Sequence, residues 1–175
     1  MDILYTTEEK YLEALEELNF GEPPKALHLL NAIIQTDPDY ARAYCSLGNI
    51  YQDKLKNYQT AGYYYKKCIE LEPEFPDTYL PYLRLLTTLE MPRLAEQIFS
   101  QALATKGVCK CCIYEQMGMY AEQDKRWEAA NEFYKKALLN STGIEDKSAL
   151  HDNLERLKDK KRLTSQVIYN FQSPD

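Results

Sequence analysis

The sequence predicts an all-α protein built from stacked antiparallel helix hairpins. Three observations predict it. A block of spaced residues returns about every 35 positions, the apolar residues within each block fall at i, i+3, i+4 and i+7, and prolines or glycines stand where blocks meet. The spacing sets the apolar side chains on one stripe of a helix, and two such stripes per block make a hairpin.

The first repeat spans roughly residues 7–38. Thr6-x-x-Glu9 has the form of a capping box and opens a helix with Tyr11, Leu12, Leu15 and Leu18 on its apolar side. A second helix carries Ala26, Leu30 and Ile33 and stops before Pro38. The second repeat, 39–73, is the clearest copy: Tyr44-x2-Leu47-Gly48-x2-Tyr51, then Ala61-x3-Tyr65-x2-Cys68, then Pro73. In the third repeat, 74–107, the corresponding residues are Tyr79, Tyr82, Leu83, Leu86, Ala95, Phe99 and Ala102, with Gly107 in place of the proline. The fourth, 108–142, has Tyr114, Met117, Gly118, Ala121, Ala130, Tyr134, Ala137 and Thr142. A capping helix over 144–162 places Leu150, Asn153, Leu154 and Leu157 on one stripe, with charged remaining faces that suit the end of a stack. The tail 163–175 leaves this pattern. Its apolar run Val167-Ile168-Tyr169-Asn170-Phe171 is read either as a strap on the last helices or as a segment that docks on another copy.

Small residues carry the packing expectation. Gly48 and Gly118 let a neighbouring helix approach, with Tyr44 and Tyr114 expected to fill the space beside them, and Leu83 at the equivalent site of the third repeat demands a different fit. Ala26, Ala61, Ala95 and Ala130 are the complementary small residues on the second helices. Gly107 and Gly143 suit left-handed helix ends. Gly62 stands inside a helix, where it costs about 1 kcal/mol relative to Ala and is read as a close packing point.

The recurring block resembles the tetratricopeptide repeat: an aromatic residue, Leu-Gly and Tyr in a first helix, Ala and an aromatic residue four later in a second, and a closing Pro. The resemblance runs from about Thr7 to Thr142. It implies a right-handed α-solenoid of four repeats plus a capping helix, a superhelix whose first helices line a concave face that grips a peptide or helix of a partner protein. The chain is therefore expected to be a non-catalytic adaptor or scaffold, with self-assembly or a small chaperone role as alternatives. On the first helices, the residues facing away from the packing stripe are Arg42, Cys45, Asn49, Gln52 and Asp53, then Asp77, Leu80, Arg84, Thr87 and Thr88, then Cys112, Glu115, Met119, Glu122 and Gln123. In the family an Asn one residue after the Gly bonds the backbone of a bound peptide, which the resemblance carries to Asn49. Arg84 could add a charge-assisted bond to a carboxylate. The basic clamp by which some relatives hold acidic chaperone tails is missing, since Cys45, Asp77 and Pro81 stand at its places.

Composition narrows the class further. The formal charge is -6, and up to Pro38 eight acids face two bases, so that stretch accounts for the excess. A helical-hairpin period near 35 is also that of pentatricopeptide RNA readers, but the acidic groove set of Asp53, Asp77, Glu115 and Glu122 argues against phosphate binding, and no nucleic-acid partner is expected. No run of apolar residues matches a membrane span and Met1–Lys10 has no signal-peptide core, so a cytoplasmic protein is expected. No phosphate loop, metal-binding His-Glu pattern or paired nucleophile is evident, so no enzyme activity and no cofactor is expected. Cys109, Cys111 and Cys112 cluster at a turn, but His28 and His151 are remote in sequence, so no metal site is expected. A possible homo-oligomer would form through the tail or an end helix.

Overall fold

A computed structural model describes residues 6–172. Among these residues there are nine α-helices and no strand. They are α1 (Thr7–Phe20), α2 (Pro23–Thr36), α3 (Ala41–Asp53), α4 (Tyr58–Leu71), α5 (Tyr79–Thr88), α6 (Pro92–Ala104), α7 (Lys110–Gln123), α8 (Trp127–Asn140) and α9 (Ile144–Gln172), with a short 3-10 turn at Pro76–Thr78 before α5. The chain divides into two compact units, one ending at Gly107 and the other beginning at Val108. Among the described residues no helix is long and apolar enough to cross a membrane.

Local chemistry sets the helix ends. Thr6 Oγ1 accepts from the Glu9 backbone N–H at 3.2 Å while the Glu9 carboxylate accepts from the Thr6 N–H at 2.7 Å, closing the capping box. Pro23 and Pro92 occupy first helical positions, where no N–H is needed. Gly107 follows α6 at φ +83°, the left-handed conformation expected of it. Gly143 does not adopt that conformation: α8 ends in an extended Ser141, and Gly143 lies at the start of α9, where its carbonyl accepts from the Lys147 N–H at 3.4 Å. Three of the hairpin turns instead place non-glycine residues in the left-handed region, Lys56 at φ 53°, Glu90 at φ 53° and Lys125 at φ 56°.

In the first compact unit α1 packs on α2, α3 on α4 and α5 on α6. Tyr11, Ala14, Leu30, Ile33, Ala43, Leu47 and Ile50 form one buried cluster across α1, α2 and α3. Each fully buried Leu or Ile there contributes about 1.5 to 3 kcal/mol relative to exposure. Tyr11 reaches from α1 to α3, with its hydroxyl 3.2 Å from Ser46 Oγ. Tyr44 and Tyr79 each donate to the carbonyl of the preceding interrepeat proline, Pro38 at 2.9 Å and Pro73 at 2.6 Å, so the aromatic at the head of these first helices ties down the turn before it.

The glycines meet a different aromatic from the one expected. A Cβ added at Gly48 would lie 2.5 Å from the ring of Tyr65, and one at Gly118 would lie 2.6 Å from the ring of Tyr134. The rings that fill the space thus come from the second helix of the same hairpin. Tyr44 and Tyr114 lie elsewhere: Tyr44 is committed to the Pro38 carbonyl, and Lys136 Nζ stands 5.8 Å over the Tyr114 ring. Ala26, Ala61, Ala95 and Ala130 are fully buried, as their complementary role requires. Where Leu83 replaces the glycine, Phe99 replaces the tyrosine, both are buried, and α5 and α6 make a less extensive contact than α3 and α4.

In the second compact unit α7 pairs with α8, and α8 with α9. Its core holds Cys111, Ala121, Ala130, Tyr134, Ala137, Leu150 and Leu157, so the amphipathic stripe of α9 covers the hairpin as a cap should. The helix does not stop near Arg162. Between Gly143 and Pro174 there is neither Gly nor Pro to break it, and α9 continues to Gln172. Residues 173–175 of the expected tail, and the side chains of 165–172 with the Val167–Phe171 run, lie outside the described residues.

Two glycine substitutions separate close approach from mere propensity. Gly48→Ala is expected to lose about 1 to 3 kcal/mol of unfolding free energy, because a methyl group cannot share space with the Tyr65 ring. Gly62 is no close packing point: its added Cβ would find Leu85 Cδ2 at 3.7 Å, an ordinary contact. Gly62→Ala is therefore expected to gain about 1 kcal/mol. Urea unfolding of both variants checks the contrast.

Candidate functional site

Tyr65 is the centre from which the polar face of the first compact unit is built. Its ring is fully buried, lies against Gly48 of α3 and sits 5.6 Å from the Tyr82 ring of α5. Its hydroxyl emerges at the edge of α3, 2.8 Å from Asn49 Oδ1 and 3.0 Å from Gln52 Oε1. Burial pushes the Tyr65 phenol well above its ordinary pKa, so it remains a protonated donor. Asn49 and Gln52 are half-buried, one helical turn apart, and so share a side of α3.

Around this pair the expected residues separate into those available at the surface and those taken inward. Asp53 at the end of α3, Asp77 in the 3-10 turn and Arg84 of α5 are exposed, and Leu80 is half-buried. Arg42 is exposed too, but it stands 3.7 Å from Glu8 and 5.9 Å over the Phe75 ring. Cys45 is buried with Cys68, and Cys68 Sγ lies 3.0 Å from Thr78 Oγ1. The bond to Cys68 together with burial raises the Cys45 pKa and keeps it a thiol. Thr87 is buried and donates to the Leu83 carbonyl at 2.8 Å.

In the second compact unit Met119 is exposed and Glu115 half-buried, with Asn153 Nδ2 of α9 donating to Glu115 at 2.9 Å. Glu122 is buried and accepts from Tyr134 at 2.6 Å, from Arg156 at 2.8 and 3.1 Å, and from Lys160 at 2.8 Å. Burial alone would raise its pKa, but the bonds from Arg156, Lys160 and Tyr134 override it and hold the carboxyl at about 2. Glu122 therefore fastens α9 to α7 and α8. Its position along the repeat is that of Gln52, and Tyr134 repeats the part of Tyr65, yet here two cations of α9 complete the group.

The three cysteines of the cluster occupy different surroundings. Cys109 caps α7 by accepting from the Cys112 N–H at 3.4 Å, Cys111 is buried in the core, and burial pushes the Cys112 thiol up to about 12. Among the described residues no three His, Cys, Asp or Glu side chains gather as metal ligands would.

A concavity in the first compact unit was not foreseen. A cleft of about 900 Å³ runs between α4 and α6, with Ile69, Pro73, Leu94 and Ile98 among its apolar lining and Gln97 and Gln101 among its polar lining. The visible signal was Ile69, an aliphatic residue outside the Ala61, Tyr65, Cys68 stripe.

Comparison with known proteins agrees with the helix-hairpin fold. The tetratricopeptide repeat family model matches residues 41–75, the segment that holds α3 and α4. Residues 41–75 are a tetratricopeptide repeat. The fold around them is likewise that of tetratricopeptide solenoids. The structure is similar to the crystal structure of MamA protein with a TM-score of 0.75 at 16% identity, over 95% of this chain and 88% of that one. It is similar to PilW, described as a widely conserved type IV pilus biogenesis factor, with a TM-score of 0.71 at 16% identity, over 87% of this chain and 78% of that one. A thermophilic tetratricopeptide protein of Thermus thermophilus matches with a TM-score of 0.68 at 20% identity, over 85% and 81% of the two chains. No curated protein sequence matches the chain.

The Glu122 group gives the second compact unit a pH dependence of known sign. Its folded pKa lies below that of the unfolded carboxyl, so its contribution is complete above about pH 4.5 and is lost as pH falls towards 2. Urea unfolding followed by the fluorescence of Trp127, the single tryptophan, is expected to show a falling midpoint across that window, with a smaller fall in Glu122→Gln.

Proposed function

We propose that the protein is a non-catalytic interaction module that binds an extended peptide of a partner protein on the α3 and α5 face of its first compact unit. One observation carries the proposal: the Asn49 and Gln52 amides stand half-buried beside a protonated tyrosine hydroxyl, with exposed Arg84 on the next first helix. Side-chain amides both donate and accept, which suits a peptide backbone, and a guanidinium suits a carboxylate on the same ligand. Among the described residues Arg84 has no ion-pair partner, so it is available for one. The tetratricopeptide fold, which generally mediates protein–protein contacts, supports the same reading, and so does the pilus biogenesis role of the similar PilW.

Self-assembly is a second reading, favoured by one feature of α9. The helix runs on to Gln172, past Lys161, whose Nζ bonds Glu128 at 2.6 Å, and the first apolar residue beyond, Leu163, is 57% exposed. An exposed apolar residue such as Leu163 can contact the same helix of a second copy. Deleting Val167 to Asp175 is then expected to lower the mass measured by light scattering, and an unchanged mass contradicts self-assembly through this end.

For the peptide reading, Asn49→Ala combined with Arg84→Ala is expected to weaken partner capture at least about tenfold, the loss of one or two hydrogen bonds, while circular dichroism stays unchanged. Equal capture by the double variant contradicts the assignment of this face.

A further inference from the structure

Tyr65 has a single hydroxyl proton, yet its oxygen lies within bonding distance of two amide side chains, 2.8 Å from Asn49 and 3.0 Å from Gln52. One proton serves one carbonyl oxygen. A second carbonyl oxygen held at the same distance would face only the lone pairs of the hydroxyl. The oxygen and nitrogen ends of an amide have nearly the same shape, and the hydrogen-bond network decides which end faces inward. We propose that the Tyr65 hydroxyl holds the two amides in opposite orientations, donating to the carbonyl of one and accepting from the NH2 of the other, so that α3 presents one outward donor and one outward acceptor to the main chain of an extended peptide.

The ligand class follows from that arrangement. A residue in extended conformation directs its own N–H and C=O to the same side, as it does when two antiparallel strands exchange both bonds. A donor and an acceptor fixed side by side match such a residue, and because they are unlike they match it in one chain direction. Two amides free to rotate would present any combination and select no direction. Tyr65 is thus a positioning residue: it touches the two amides that meet the ligand and need not touch the ligand itself.

Several features of the site favour this role. The Tyr65 ring is fixed by its contact with Gly48 and by full burial, so the hydroxyl cannot swing away. Among the described residues neither Asn49 nor Gln52 has another side-chain hydrogen-bond partner, so the outward ends remain for a ligand. The other repeats lack the combination. In the third repeat Arg84 and Thr87 stand at the two positions and Phe99 has no hydroxyl. In the fourth, Met119 and Glu122 stand there, and the carboxylate of Glu122 is saturated by Tyr134, Arg156 and Lys160. Recognition of a peptide backbone is therefore confined to α3, and the other positions contribute charge or apolar contact.

The inference rests on the α3 face being the peptide site, and the test separates the two. Peptides selected by the full-length protein from a phage-displayed random library are synthesised in three forms: parent, reversed sequence, and a series with single backbone N-methyl groups. The wild type is expected to prefer the parent over its reverse and to lose about tenfold in affinity when one particular residue is N-methylated. Tyr65→Phe is expected to bind the parent about tenfold more weakly and to lose most of both discriminations. Phe99 at the equivalent place shows that the fold accepts a phenylalanine there, and a thermal melt verifies it for the variant. Gln52→Leu, which leaves Tyr65 intact, is expected to give the same loss of discrimination and serves if Tyr65→Phe fails to fold. If Asn49→Ala weakens binding but Tyr65→Phe and Gln52→Leu keep full affinity and direction, the positioning role is overturned while the peptide site stands. If none of these changes weakens binding, or no peptide is selected, both fall. Binding lost instead in Ile69→Glu would place the ligand in the cleft between α4 and α6.

Discussion

Everything in the first compact unit beyond α2 depends on how closely α4 can approach α3, and that distance is set by a tyrosine ring lying on a glycine. Tyr65 covers Gly48 so tightly that a single added carbon would fall 2.5 Å from its ring. Close packing of this kind leaves no adjustable gap, so the pair fixes the position of one helix on the other. The second compact unit repeats the device with Gly118 and Tyr134. Where the sequence abandons the glycine it abandons the tyrosine as well, and Leu83 with Phe99 keeps the interior filled at the cost of a less extensive hairpin contact.

The contact has a polar consequence. A tyrosine used as a packing wedge carries its hydroxyl through to the far edge of the first helix, where it must find partners. The residues one and four positions along from the glycine then decide the character of that edge. In α3 they leave a neutral amide pair with bonding capacity to spare. In α7 the carboxylate of Glu122 meets the hydroxyl and draws in Arg156 and Lys160, turning the same edge into a fastening for α9. One repeated packing interaction thus produces a half-buried amide pair in one hairpin and an internal clamp in the other, with Glu122 in α7 standing where α3 has Gln52.

How far the sequence could be read follows from the same distinction. The helix stripes, the small residues and the turn positions recur in register, and a recurring pattern with a helical period is legible because every copy reports the same geometry. Which aromatic fills a glycine was not legible. Tyr44 lies four residues from Gly48 on its own helix and Tyr65 on the next, and the sequence offers no measure of which ring turns inward. The groove residues were placed by angular position on an isolated helix, which locates Asn49, Gln52, Asp53 and Arg84 at or near the surface but not the neighbours that enclose Cys45 and Thr87. Glu122 was hidden for a further reason: its partners lie on α9, 34 and 38 residues away. The length of α9 was underestimated because the loss of its first apolar stripe after Leu157 resembled an end, whereas no glycine or proline interrupts the helix before Pro174.

The account stands most directly on the coupling between Gly48 and Tyr65, which a double-mutant cycle measures by urea unfolding of the wild type, Gly48→Ala, Tyr65→Ala and the double variant. Once the ring is removed, alanine at position 48 meets no obstacle and should gain from its helix propensity by about 1 kcal/mol. The predicted result is a coupling free energy of roughly 1 to 3 kcal/mol, with Gly48→Ala destabilising in the presence of Tyr65 and neutral or stabilising in its absence. Additive effects of the two substitutions, with Gly48→Ala equally destabilising in both backgrounds, would contradict it.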